Sequence, residues 1–216
     1  ELPHKHGPII GLKRKSFNMR ETYLSLSQKN LPSDHVELVQ KLSLLHETSQ
    51  AMMTTLKLDD LLHIIMTAVT MEGGFGFNRA MLFLVNQNTN TLQGMIGMGP
   101  ENPEDAYRIW NEFSQKKVGL LEWVLSSERK NSKTRSRIDE VCKSIIIPLD
   151  SVRGGVLART FLEKTYFNIT DEKEDAFIWE NIFSKVGGGP FATVPIIANG
   201  QATGVIKVDN IYNNKP

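Results

Sequence analysis

Val194–Asn210 reads VPIIANGQATGVIKVDN, two β-favouring runs around Asn199-Gly200. An Asn-Gly pair suits a two-residue hairpin loop, because both loop positions need positive φ. Such a loop sets the register, pairing Ala198 with Gln201, Ile197 with Ala202, Ile196 with Thr203 and Pro195 with Gly204. One face of the ribbon then carries Phe191, Thr193, Pro195 and Ile197 beside Ala202, Gly204, Ile206 and Val208. The other carries Ala192, Val194 and Ile196 beside Thr203, Val205, Lys207 and Asp209. Neither face is fit for water, so the sheet is expected to be covered on both sides. In this register Lys207 and Thr193 fall on opposite faces, and only a bulge would bring them together. Pro195 lacks an N–H, so the first strand is expected at an edge, or beside a neighbour that leaves a gap there.

Upstream, the pattern supplies more of the same sheet and its helices. Ser33-Asp34-His35-Val36-Glu37 has the spacing of a capping box. From there Leu38, Leu42, Leu45, Ser49, Met52 and Leu56 recur at steps of four and three, an a/d seam of about three heptads. Two readings fit: a parallel coiled coil joining two copies of the chain, or one amphipathic helix packed on its own domain. Asp59 and Asp60 cap a second helix, with Leu61, Leu62, Ile65, Ala68 and Val69 on its buried face and glycines at 73, 74 and 76 closing it. Arg79–Val85 is a strand, Asn86–Asn90 is turn chemistry, and Leu92–Met98 pairs back. Ala106, Ile109, Trp110 and Phe113 share one helical face, and Leu120, Leu121, Val124 and Leu125 another. Ser126–Arg137 is polar, basic and aperiodic, the signature of an exposed loop. A short strand at Ile145–Leu149, a helix over Gly154–Leu162, a strand at Thr165–Ile169 and a helix over Ala176–Val186 follow. Hairpins and helical excursions without βαβ alternation imply an α+β domain with an antiparallel sheet.

Composition sets limits on function. The 216 residues are 40% hydrophobic and 23% charged, ordinary for a globular chain. No run approaches the ~20 apolar residues of a membrane-spanning helix. The single cysteine, Cys142, rules out an internal disulfide and fits a reducing, cytoplasmic setting. Net charge is +1, unevenly placed: in residues 1–30 six basic side chains face two acidic ones, leaving the remainder at −3. These charges lack interleaved aromatics, so residues 1–32 read as a linker or the tail of a preceding domain, with no nucleic-acid platform. A chain that starts at Glu1 is expected to be a fragment of something longer. Nucleophile-elbow, phosphate-loop and zinc-spacing patterns are absent. His4 and His6 offer at most adventitious metal binding, and His46 and His63 sit on helices as ordinary residues.

FNRAMLFLVN (Phe77–Asn86), RGGVLARTFLEKTYFNITD (Arg153–Asp171) and FATVPIIANGQATGVIKVDN (Phe191–Asn210), in that order, resemble a GAF domain of bacterial signalling proteins, the sensor histidine kinase type included. The resemblance spans about residues 35 to 216. It implies a GAF/PAS-like six-stranded antiparallel sheet with helices on both faces, one of which borders a small-molecule pocket roofed by the insert. It divides the chain into a linker (1–32), a signalling and dimerisation helix (33–57) and the domain itself (58–216), which stops before the family's closing helix. By position in the family pattern, Phe83, Met98, Gly155, Val156, Trp179, Thr193 and Lys207 would bind the ligand. The glycine-opened helix start would offer amides to an anion, with Lys207 as counter-charge. The alternative for each is an ordinary core residue, with Lys207 snorkelling to solvent.

The family's known chemistries leave the cofactor unspecified. The GAF-type reductase of free methionine sulfoxide needs several cysteines. Bilin-binding members use a cysteine beside a histidine, and Cys142 has none, which favours a buried structural thiol. Cyclic-nucleotide binders carry a lysine where Ile211 stands. The expected function is therefore a sensory domain for an unidentified small molecule, homodimeric through the Asp34–Leu56 helix, without nucleic-acid binding, membrane insertion or enzymatic activity. The alternative is a ligand-free dimerisation module.

Overall fold

A computed structural model describes residues 33–53, 57–70, 75–116, 136–171 and 175–212. The sequence readings on residues 1–32, on Leu56, on the glycines at 73 and 74, on Leu120–Leu125 and on 126–135 lie outside them. The chain divides into two compact units, Glu1–Ser43 and Leu44–Pro216. The second holds the entire sheet.

Helices α1 (Ser33–Met52) and α2 (Leu58–Thr70) precede the strands β1 (Arg79–Asn86) and β2 (Thr91–Met98). Then come α3 (Pro103–Lys116), α4 (Arg137–Ser144), β3 (Ile146–Pro148), α5 (Gly155–Glu163) and β4 (Phe167–Ile169). A continuous helical run over residues 176–186, α6, contains one wide π turn at Trp179–Phe183. The hairpin β5 (Phe191–Ala198) and β6 (Gln201–Asp209) completes the sheet, whose order is β3-β2-β1-β6-β5-β4 with every neighbouring pair antiparallel. This is the expected α+β architecture.

Asp59 and Asp60 place acidic charge in the first turn of α2, where the helix dipole favours it. Its Leu62 and Met66 bury against Ala80, Leu82 and Val208 on one face of the sheet, while Ile64 and Ala68 bury against Leu44 and Ala51 of α1. The buried stripe of α2 is thus centred on Leu62 and Met66 rather than on Leu61. The opposite face of the sheet, with Met81, Phe83 and Val205, packs on Ile138 and Cys142 of α4, Val156 and Leu157 of α5, and Ile178 and Ile182 of α6. Both faces are covered, as the two apolar sides of the hairpin require.

The seam of α1 resolves into two stripes. Leu44 and Ala51, one heptad apart, are buried in the domain, whereas the seam residues Leu38, Leu42 and Leu45 remain 54%, 50% and 48% exposed.

Helix α4 corrects the reading of a loop running through Arg137. Ser136 caps it by accepting from the Asp139 amide, and Ile138 and Cys142 are its buried residues. It lies against β2 at two glycines. A Cβ on Gly94 would stand 1.8 Å from the Cys142 carbonyl oxygen, and one on Gly97 would stand 2.5 Å from that of Ile138. The Gly97 amide donates to Asp139 Oδ1, tying the helix to the strand.

The hairpin register also differs from expectation. Asn199 and Gly200 both have positive φ, as the loop needs, and Ala198 and Ile197 pair with Gln201 and Ala202. Beyond them Ile196 pairs with Gly204, leaving Thr203 as an extra residue whose hydroxyl donates to the Ile196 carbonyl. The bulge reverses the facing of β6 relative to β5. Pro195 pairs with Val205, not Gly204, and Thr193 pairs directly with Lys207. The gap expected beside Pro195 is present, since β4 pairs only with Phe191–Thr193.

Candidate functional site

The bulge puts a charged cluster inside the domain. Arg79 opens β1 and Asp209 closes β6, and the two are register partners. The guanidinium grips the carboxylate with two bonds, Nε to Oδ1 and Nη2 to Oδ2, each 2.9 Å. Nη1 donates to the Val186 carbonyl at 2.6 Å and Nη2 to that of Gly187 at 3.0 Å, so the same side chain caps the end of α6. Lys207, two residues before Asp209 and hence on the same face, donates from Nζ to Asp209 Oδ2 at 2.6 Å. Its ammonium lies 4.8 Å from the Phe183 ring centroid and 5.2 Å from that of Phe191.

All three side chains are almost wholly buried. Burial pushes the Lys207 pKa down, against the pull of Asp209. Burial alone would raise the pKa of Asp209, but the neighbouring Lys207 and Arg79 outweigh it and hold the carboxyl below its usual range. Lys207 therefore does not snorkel. It is an internal cation with an internal partner.

The remaining expected site residues lie in four places. Phe83, Val156 and Thr193 join Lys207 in the packed interior. Thr193 is bonded hydroxyl to hydroxyl with Thr160 at 2.6 Å, and Thr160 donates to the Val156 carbonyl. At the start of α5 the anion already present is the chain's own: Asp175 Oδ2 accepts from the Val156 amide, and its Oδ1 accepts from the Ile178 amide. Gly155, at φ +60°, leaves room for that carboxylate, since a Cβ there would lie 2.5 Å from its oxygens. Met98 lies apart on the opposite face, with α2, where the Thr67 hydroxyl is 3.9 Å from its sulfur. Trp179 lies in the π turn of α6. Cys142 is buried, and burial pushes its thiol up to about 12.

The open space lies beyond the charged cluster, at the end of the sheet. A cleft of about 590 Å³ runs between the 101–103 turn, the start of α4, the end of α6 and residues 211–212. Arg137 and Lys185 stand on its walls with the carboxylate of Glu101. Tyr212 forms part of its back, 5.8 Å from the Arg79 guanidinium carbon. That ring is anchored at both ends: the Tyr212 hydroxyl donates to the Glu101 carbonyl and its amide to Asn78 Oδ1. The Val186 and Gly187 carbonyls that hold Arg79 belong to the same wall. A second hollow of about 430 Å³, along Leu84–Asn88, has no charged side chain on its walls.

Phe83, Met98, Gly155, Val156, Thr193 and Lys207 line neither space. The cleft residues were missed because they come from four separated segments. The available signals were the glycine run after α6 and Tyr212 immediately after the last strand.

No family model and no curated protein matches the chain. Solved structures resemble it at low identity. The A. aeolicus nlh2 GAF domain in an inactive state is 11% identical over 80% of this chain and 80% of its own, with a TM-score of 0.49. A methyl-accepting chemotaxis protein, residues 122 to 287, is 16% identical over 78% of this chain and 80% of its own, TM-score 0.48. The GAF domain from Acinetobacter phosphoenolpyruvate-protein phosphotransferase is 14% identical over 78% and 75%, TM-score 0.47.

Proposed function

We propose that this chain is a regulatory, small-molecule-sensing domain of the GAF type within a cytoplasmic bacterial signalling protein, and not an enzyme in itself. The observation that carries the reading is the cleft at the sheet end, whose back wall is held by the buried Arg79–Asp209 fork. Its volume is in the usual range for small-molecule sites. A ligand that draws the cleft walls together acts on Val186 and Gly187, hence on Arg79 and β1, whose other face packs on α2. The change then has a route to α1, whose exposed leucines pair with a second copy, and onward to an output domain such as a histidine kinase of a two-component system. The only cysteine, with its pKa raised by burial, offers no thiolate for redox chemistry.

The test is a thermal-shift screen of the 216-residue chain against a panel of intracellular metabolites. A saturable rise in Tm with at least one compound is expected. No response to any compound at millimolar concentration contradicts the sensor reading.

One observation favours a second reading, a dimerisation module that binds nothing: the expected pocket wall is packed core, and no buried side-chain nitrogen or oxygen among the described residues lacks a partner. Sedimentation separates the two. A ligand-free module is a dimer that no metabolite perturbs.

A further inference from the structure

We infer that the cleft takes a small organic anion, its acidic end held by Arg137 and Lys185 and its apolar body laid along Val186, Ile211 and the Tyr212 ring. This rests on the reading of the cleft as the ligand site. Both cationic side chains are exposed on the cleft wall, and neither makes an ion pair among the described residues. Among the described lining residues the one acidic side chain is Glu101, whose Oε1 accepts the Arg137 amide at 2.6 Å. A ligand cation would meet two like charges against a single carboxylate, whereas an anion meets two cationic donors that have no ion pair of their own among the described residues. Arg137 offers a planar fork and Lys185 a mobile point charge, a pair that fits a carboxylate or a phosphate ester.

The rest of the wall is apolar or rigid. Pro103, Val186 and Ile211 supply contact area. Tyr212 presents a ring that cannot turn away, since its hydroxyl is tied to the Glu101 carbonyl. Gly188 sits so close to Phe183 that a Cβ would lie 2.2 Å from the ring, which seats the 187–188 backbone tightly at the rim. Arg79 is not a ligand contact. Its Nε and both Nη atoms are committed to Asp209, Val186 and Gly187, and it serves to hold the wall.

The experiment titrates the ¹⁵N-labelled full chain with four compounds of one body and different heads: benzoate, phenyl phosphate, benzyl alcohol and benzylamine. The two acids are expected to give saturable amide shifts centred on Arg137, Gly187 and Gly188, and the tighter of them identifies carboxylate or phosphate ester as the head group. In the Arg137→Gln/Lys185→Gln variant their Kd rises about tenfold or more. Its unchanged Tm without ligand shows that the fold persists. Benzyl alcohol or benzylamine binding as well as the acids overturns the anion assignment while leaving the cleft as a binding site. Acid binding that ignores the double substitution overturns the roles of Arg137 and Lys185. No shift at the cleft with any of the four overturns both this inference and the choice of the cleft.

Discussion

Along β1 successive side chains enter two different interiors. Ala80 and Leu82 meet Leu62 and Met66 of α2 in a largely apolar region, where the buried Thr67 bonds back to its own helix at the His63 carbonyl. Arg79, Met81 and Phe83 meet α4, α5 and α6 across a region that also contains Asp209, Lys207, Thr193 and Thr160. The first interior needs only shape and area. The second needs every polar atom matched, because a buried charge without its partner costs far more than the pair returns. A face that merely closes the domain can be aliphatic. The face that supports a site holds groups whose positions are fixed by directional bonds.

The sharpest way to break this contrast is Asp209→Asn. It leaves Arg79 and Lys207 buried without their counter-charge and is expected to cost about 3–5 kcal/mol in urea unfolding. Leu82→Ala, on the other face, is expected to cost about 2–5 kcal/mol through its cavity alone. The two are told apart by pH. Asp209 has a folded pKa below its unfolded one, so its contribution is fully present above the ordinary value of about 3.9 and is lost as pH falls from there through the lower folded value. The gap between wild type and Asp209→Asn should therefore hold from pH 7 down to about pH 4 and shrink below it, and the Leu82→Ala gap should not shrink there.

Gly94→Ala comes next, at about 1–3 kcal/mol or more, because its methyl collides with the Cys142 carbonyl and must push α4 off β2. Lys207→Met should cost less than Asp209→Asn and can be neutral, since the Arg79 fork still satisfies the carboxylate and a depressed lysine pKa means that the charged form is held at a cost. The smallest effect on unfolding, within about 0.5 kcal/mol, is expected for Leu38→Ser/Leu42→Ser/Leu45→Ser at exposed positions. Its consequence is read by sedimentation, where the dimer proposed for this seam should give way to monomer.

The fold was largely legible because its decisive signals are local. Asn199-Gly200 specifies a hairpin, and the two apolar faces that follow demand cover on both sides. Register was not legible, because nothing in the residues around Thr203 marks it as unpaired. One extra residue there brings Thr193 and Lys207, otherwise on opposite faces, into direct register. Helix α4 was hidden for a related reason: it buries only Ile138 and Cys142, and its seat depends on glycines more than forty positions upstream. The site was less legible still. Sequence pattern finds apolar runs and so points to interior positions such as Phe83 and Thr193. The cleft is made by chain ends and turns that meet only after folding.

The most direct test of the account compares two variants with any compound that raises Tm in the metabolite screen. Arg137→Gln/Lys185→Gln alters the cleft, while Thr193→Val alters the interior and leaves the Thr160 hydroxyl its bond to Val156. The account predicts that the ligand-induced shift is lost in the first and kept in the second. Retention in the double variant with loss in Thr193→Val would contradict it.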